Sequence, residues 1–170
     1  MKRILAFVGD LYEDLELWYP KIRLEEAGHE VVVAGLEAHR IYTGKKGIRC
    51  RADVAVGEVD ASAFNALLVP GGYMPDRLRR EPTVLGIVRA MDAARRPIAF
   101  ICHGGWILIS ADILRGRRAT STISIRDDMV NAGCRWSDAP LVVDGHLISS
   151  RNPGDLHLFA RALVEQLGDP

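Results

Sequence analysis

Residues 102–105 read Cys-His-Gly-Gly and follow the apolar, β-prone run 97–101 directly. A thiol attacks as its thiolate, and a free cysteine is mostly protonated at neutral pH. A helix opening just beyond Cys102 would set its positive end against the sulfur and favour the anion. His103 supplies an imidazole that can take a proton and return it to a leaving group, provided its ring turns toward the substrate. Gly104 and Gly105 permit a sharp turn and leave amides open to a developing oxyanion. The opposing reading is a small, inert thiol buried at the end of a core strand.

Such a nucleophile calls for an acid close by. The stretch Tyr12-Glu13-Asp14-Leu15-Glu16-Leu17 offers three carboxyls, and spacing does not choose among Glu13, Asp14 and Glu16. For Glu13 the plain alternative is a first-turn helix acid that complements the dipole. A carboxylate facing Cys102 would conflict with a thiolate. A protonated carboxyl that donates to the sulfur removes the conflict.

The other polar residues point elsewhere. Cys50 and Cys134 have no neighbouring acid or histidine and read as inert thiols. His29, His39, His146 and His157 read as surface or structural residues, and Asp127-Asp128 as a helix start. No CxxC or paired His/Cys spacing suggests a metal. No Gly-rich dinucleotide fingerprint or P-loop suggests a phosphate-bearing cofactor, so none is expected.

The elements that must position these groups follow from periodicity. Runs 3–8, 30–36, 64–69 and 97–101 read as buried strands, separated by helical patterns. The first helical pattern starts near Glu13, with Leu15, Trp18 and Ile22 near one face and Gly28 as its stop; Pro20 inside it argues for a kink or a later start. A second begins at Pro82, with Val84 or Leu85, Val88, Met91 and Arg95 at helical spacing. A third runs from Gly105 to Gly116. The last has Asn152 as N-cap, Pro153 in its first turn, Gly168 as stop, and Leu156, Phe159, Leu163 and Leu167 on its apolar face. Residues 37–60 and 134–150 read as short strands and hairpins, with Asp144-Gly145 at a turn. Strands alternating with helices give a mainly parallel sheet covered on both faces, in one α/β domain over residues 1–170.

In such a sheet, ligands bind beyond the carboxyl ends of the strands. Three loops leave those ends: 9–14, 70–76 and 102–106. The candidate nucleophile and acids fall in or beside them, so they should crowd one edge.

Composition bounds the alternatives. With 170 residues, 22 basic against 22 acidic side chains and a sequence pI near 7.0, the chain lacks the basic footprint of a nucleic-acid binder. No apolar run approaches the ~20 residues of a membrane helix. The N-terminus reads as a first strand rather than a signal peptide, and the expected address is the cytoplasm.

An ordered series of segments resembles the ThiJ/PfpI superfamily, within it the PfpI-type branch described as intracellular cysteine peptidases. It comprises YEDLELWYP, RLEEAGHEVVVAG, TGKKG, ALLVPGGYMPDRLR, PIAFICHGGWILISADILRGRRATS, IRDDMVNAG and ISSRNPGDL, nearly end to end. The resemblance implies a flavodoxin-like three-layer sandwich, related to the class I glutamine amidotransferases, with Cys102 on a strained elbow. That elbow is mechanically like the nucleophile turn of α/β hydrolases, with cysteine in the serine's place.

The resemblance further implies Cys102 as nucleophile, His103 as its partner and Glu13 as the acid bonded to the thiol. Gly72 and His103 amides match the oxyanion hole; Gly71, Gly104 and Trp106 line it. Asp76 stands where the branch usually has a glutamate that reaches the histidine of a neighbouring subunit, one methylene shorter. A homodimer or larger homo-oligomer is thereby implied. Gly105-Trp106 and Thr122-Ile123-Ser124 depart from the branch's pattern. The family's chemistry implies a cysteine hydrolase acting on a peptide or small molecule. Its alternatives are a glyoxalase-like lyase or deglycase acting on small aldehydes or glycated amines, and a non-enzymatic oxidative-stress sensor or chaperone.

Overall fold

The first apolar run forms β1 (Arg3–Phe7), followed by α1 (Asp14–Glu26) and β2 (Glu30–Gly35) in a computed structural model that describes residues 1–168. A short hairpin, β3 (Ile41–Thr43) and β4 (Arg49–Arg51), precedes the edge strand β5 (Val54–Ala55). Then come β6 (Ala66–Val69), α2 (Met74–Leu78), α3 (Pro82–Ala93), β7 (Ile98–Ile101) and α4 (Gly105–Ser110). The remainder is β8 (Arg118–Ala119), α5 (Arg126–Asn131), β9 (Arg135–Trp136), the hairpin β10 (Val142–Asp144) and β11 (Leu147–Ser150), and α6 (Leu156–Leu167).

The seven-stranded sheet has the order β10-β11-β7-β6-β1-β2-β5. Its pairings are parallel except that of β10 with β11. From β1 the chain crosses to β2 in one direction, whereas from β6 it crosses to β7 in the other. Right-handed crossovers therefore place α1 and α3 on opposite faces. α6 packs against α1, while α4 packs against α2, α3 and α5. The result is the flavodoxin-like α/β sandwich. Because β1 and β6 are neighbours whose connections diverge, a crevice opens at their carboxyl ends.

Local expectations mostly hold. Pro82 opens α3, whose Val84, Ile87, Val88 and Met91 are buried. Arg95 lies beyond that helix, in a turn with φ 53°. Asn152 caps the last helical segment through the Gly154 N–H at 2.9 Å, and Gly168 ends α6 at φ 73°. α4 ends at Ser110, well before Gly116, because Asp112 turns the chain at φ 58°.

The first helix differs more. It runs uninterrupted from Asp14 through a buried Pro20, and its inner face is Glu16, Leu17, Pro20 and Leu24. Leu15 and Ile22, read as sharing one apolar face, are 52% and 57% exposed. The phase of α1 is set by what packs beneath it on β2 and α6, and apolar spacing alone selected the wrong side.

Candidate active site

The loop after β1 is zipped to the loop after β6. Tyr12 and Gly72 form an antiparallel bridge, the Glu13 N–H donates to the Gly71 carbonyl at 3.2 Å, and the Tyr73 N–H donates to the Leu11 carbonyl at 2.9 Å. Gly72 has φ 81°, the left-handed region that glycine enters without strain. β7, adjacent to β6, delivers Cys102 to the same edge. Cys102 itself has φ 60°, a conformation uncommon for a residue with a Cβ and one that holds the sulfur out of the strand direction.

Three carboxyls compete at this edge, and their partners separate them. Asp14 is buried and fully engaged: its oxygens accept from the Lys46 and Ile48 N–H groups at 2.7 and 2.8 Å, so it shapes the β3–β4 loop. Glu13 turns to Lys45, with Oε2 at 3.0 Å from Nζ. Glu16 remains. It is wholly buried, accepts the Gly71 N–H at 2.8 Å through Oε2, and lies beside the Cys102 side chain, the two flanking Gly71. The expectation that Glu13 meets the sulfur is therefore corrected to Glu16, one helical turn further on. At 100° per residue, Glu16 shares the inner face with Leu17 and Pro20, and Glu13 is drawn off by the lysine.

Burial pushes Glu16 up to about 8, reinforced by the Glu13 charge; the Gly71 N–H opposes it. At neutral pH this carboxyl holds its proton. Its Oε1 has no hydrogen-bond partner. Cys102 is also pushed up, to about 12, first by burial and then by a charged Glu16, against the Gly72 and His103 amides that donate to the sulfur. The expected helix-start stabilisation of the thiolate is outweighed. One 3-10 turn (Cys102–Gly104) intervenes before α4, which has only six residues. Protonating Glu16 removes the carboxylate's opposition, so carboxyl and thiol share a single negative charge at most.

His103 lies with Nδ1 3.2 Å from Sγ and Nε2 3.1 Å from the Ser124 Oγ. Burial, then the Lys45 charge, lowers its pKa, which favours the neutral imidazole. Trp106 packs edge-on to this ring at 5.1 Å and donates its Nε1–H to Asp128 at 2.8 Å. Gly71 and Gly104 are close-approach positions. A Cβ on Gly71 would lie 2.5 Å from Glu16 Oε2 and 2.8 Å from Cys102 Cβ, and one on Gly104 would lie 2.8 Å from the Val69 carbonyl oxygen. Asp76 is on α2 with an exposed carboxylate paired to Arg80 at 3.0 Å, not to His103 of its own chain.

The other thiols are remote in character: Cys50 and Cys134 are buried and pushed up to about 11, chiefly by burial. Among the described residues, no group of three or more His, Cys, Asp or Glu side chains is placed to hold a metal ion, and no helix is long and apolar enough to cross a membrane.

The model of the DJ-1/PfpI family matches residues 2–166. The chain belongs to this family. It is 47% identical over 165 residues to Deglycase PfpI of Pyrococcus furiosus, covering 97% of this chain and 99% of that one. It is 42% identical over 166 residues to the putative cysteine protease YraA of Bacillus subtilis, with 98% of each covered. A solved two-domain protein of Anabaena variabilis, with DJ-1/ThiJ/PfpI-like and ferritin-like domains, superposes with a TM-score of 0.98 at 41% identity. That match covers 99% of this chain and 49% of the two-domain one, so this chain spans about half its length. Family members are thus named both as deglycase, within the lyase-or-deglycase alternative, and as putative cysteine protease, the peptidase-like hydrolase reading.

Ser124 and Lys45 had no assigned role in the sequence reading. Lys45 lies in the TGKKG segment quoted for the resemblance, and Ser124 in the departure at 122–124. Neither carries a local pattern that points to the thiol.

Proposed function

We propose that this chain is a cysteine-dependent hydrolase that frees amines from carbonyl adducts, a deglycase-type reaction. The observation that carries the reading is the wholly buried Glu16 carboxyl beside the elbow residue Cys102, where burial favours the protonated acid. Cys102 passes its proton to Nδ1 of His103, 3.2 Å from Sγ, and adds to the aldehyde-derived carbon of the adduct. The Gly72 and His103 amides, which face the sulfur, serve the oxygen that becomes charged. Glu16 gives a proton to the departing nitrogen, leaving a hemithioacetal; it then carries the proton from that carbon to the neighbouring carbonyl carbon while the hydroxyl proton passes to the neighbouring oxygen, so that the first carbon is oxidised as the second is reduced and a hydroxyacyl thioester results. Water hydrolyses the thioester, its proton going to Glu16 and the proton held by His103 returning to the sulfur. For an adduct of an amine with a small dicarbonyl, the net reaction consumes one water and returns free amine and a hydroxy acid.

The peptidase reading needs an acid behind His103. Within the chain that place is held by the Ser124 hydroxyl, so the acid would have to be Asp76 of a second copy. A homo-oligomer with that contact is part of the peptidase reading only. The decisive experiment incubates wild type and Cys102→Ser with a methylglyoxal-treated lysine derivative and with peptide amides, following free amine and hydroxy acid by NMR. Release from the lysine adduct that disappears in Cys102→Ser is expected. A wild type that turns over neither substrate refutes the hydrolase reading.

A further inference from the structure

Both ring nitrogens of His103 are occupied, Nδ1 by Cys102 Sγ at 3.2 Å and Nε2 by Ser124 Oγ at 3.1 Å. Ser124 lies on the 3-10 turn Ile123–Ile125. That turn is tied back to the elbow, since the Thr122 N–H donates to the Cys102 carbonyl at 3.4 Å. Ser124 is exposed, so its hydroxyl satisfies no buried polar group of the core. Trp106 bounds the ring on another side, itself fixed by Asp128 and capped by the Arg79 guanidinium 5.5 Å from its centroid.

We propose that Ser124 is a positioning residue for His103: its neutral hydroxyl holds the imidazole with Nδ1 toward Cys102, in the place where other nucleophile–histidine pairs put an acid or amide. The inference rests on the hydrolase reading of Cys102. A hydroxyl both donates and accepts. While the thiol keeps its proton, Nδ1 accepts from S–H and the Nε2–H donates to Oγ. When that proton moves from sulfur to Nδ1, the Nε2–H stays on Oγ. If Nε2 is then the nitrogen that gives up its proton, the same hydroxyl turns and donates to it. A carboxylate could serve only the first two states and would favour a lasting imidazolium.

The charged and titratable groups around the ring are Cys102 on its own turn, Lys45 from the β3–β4 loop, Glu16 beyond the sulfur, and Asp128 and Arg79 on the far side of Trp106. The charge that weighs on the ring is that of Lys45, and it opposes protonation, as burial does. A neutral base suits a site in which Glu16 carries the proton.

The test uses the full chain with 15N-labelled histidine, comparing wild type, Ser124→Ala, Ser124→Thr and Ser124→Asp by NMR across pH, alongside kcat and KM. Ser124→Ala is expected to mix the two neutral tautomers of His103 and to lower kcat about tenfold with little change in KM, within the range for mispositioned acid–base groups. Ser124→Thr restores both. Ser124→Asp raises the pH at which His103 takes its second proton by about one unit, the lower end of a nearby opposite charge's effect. Tautomer populations that ignore the Ala change, or that Thr fails to restore, overturn the proposal. The NMR arm needs no substrate. If the tautomer follows residue 124 but wild type turns over nothing, the hydrolase reading falls and the placement of Ser124 stands. If turnover depends on Cys102 while the tautomer ignores residue 124, the positioning role falls alone.

Discussion

Replacing Glu16 by Gln separates the carboxyl's proton from its shape. Gln keeps an oxygen for the Gly71 N–H, held at 2.8 Å in the native site, but carries no transferable proton and no charge. Folded Glu16 holds its proton to about pH 8, whereas an unperturbed carboxyl releases it near 4.5. The folded state therefore binds more protons between those values. The contribution of Glu16 to stability is full below pH 4.5 and is lost as pH rises through about 8. At 1.36 kcal/mol per pKa unit, the loss reaches about 5 kcal/mol. Gln has no such slope. Urea unfolding followed by tryptophan fluorescence should give Glu16→Gln and wild type similar stability at pH 5, with the variant ahead by about 2–5 kcal/mol at pH 9. Turnover should fall by about 10²–10⁴. Alkylation of Cys102 should nevertheless speed up at pH 9. Two unit charges 4 Å apart at an effective dielectric of 20 repel by about 4 kcal/mol, so removing one supports a gain of at least about tenfold. An equal stability difference at pH 5 and pH 9 would refute the assignment of a buried, proton-holding carboxyl.

Gly71→Ala forces a Cβ to 2.5 Å from Glu16 Oε2 and 2.8 Å from Cys102 Cβ, and should cost about 1–3 kcal/mol in thermal or urea unfolding. Its turnover should drop at least as far as that of Glu16→Gln; a stable, fully active variant would contradict the close approach. Brief iodoacetamide treatment of the native protein at pH 9, read by peptide mass spectrometry, should modify Cys102, while buried Cys50 and Cys134 react only after denaturation; equal labelling of all three would remove Cys102's special standing. Asp76→Ala should leave amine release from the lysine adduct within about twofold, because its carboxylate pairs with exposed Arg80, a surface pair of small energetic weight. A large loss, rescued by mixing with Cys102→Ala subunits, would instead show a site completed by a second copy.

The sequence by itself determined the alternation of strands and helices and therefore the parallel sheet, because periodicity, Pro82 in a first turn and Asn152 as a cap act within a few residues of themselves. It also determined that Cys102, His103 and an acidic stretch meet at one edge, since carboxyl-end loops of a parallel sheet have nowhere else to converge. It did not determine which acid faces the thiol. Glu13, Asp14 and Glu16 differ only in helical phase, and that phase is fixed by packing on β2 and α6. Their partners lie far along the chain: Lys45 draws off Glu13, and the amides of residues 46 and 48 consume Asp14. The same holds for Ser124, brought to His103 across 21 residues, and for the thiol's protonation, where burial and Glu16 outweigh the expected pull of the following helix. Local pattern places a residue on an element; only the packed structure decides which neighbour, and how little water, it meets there.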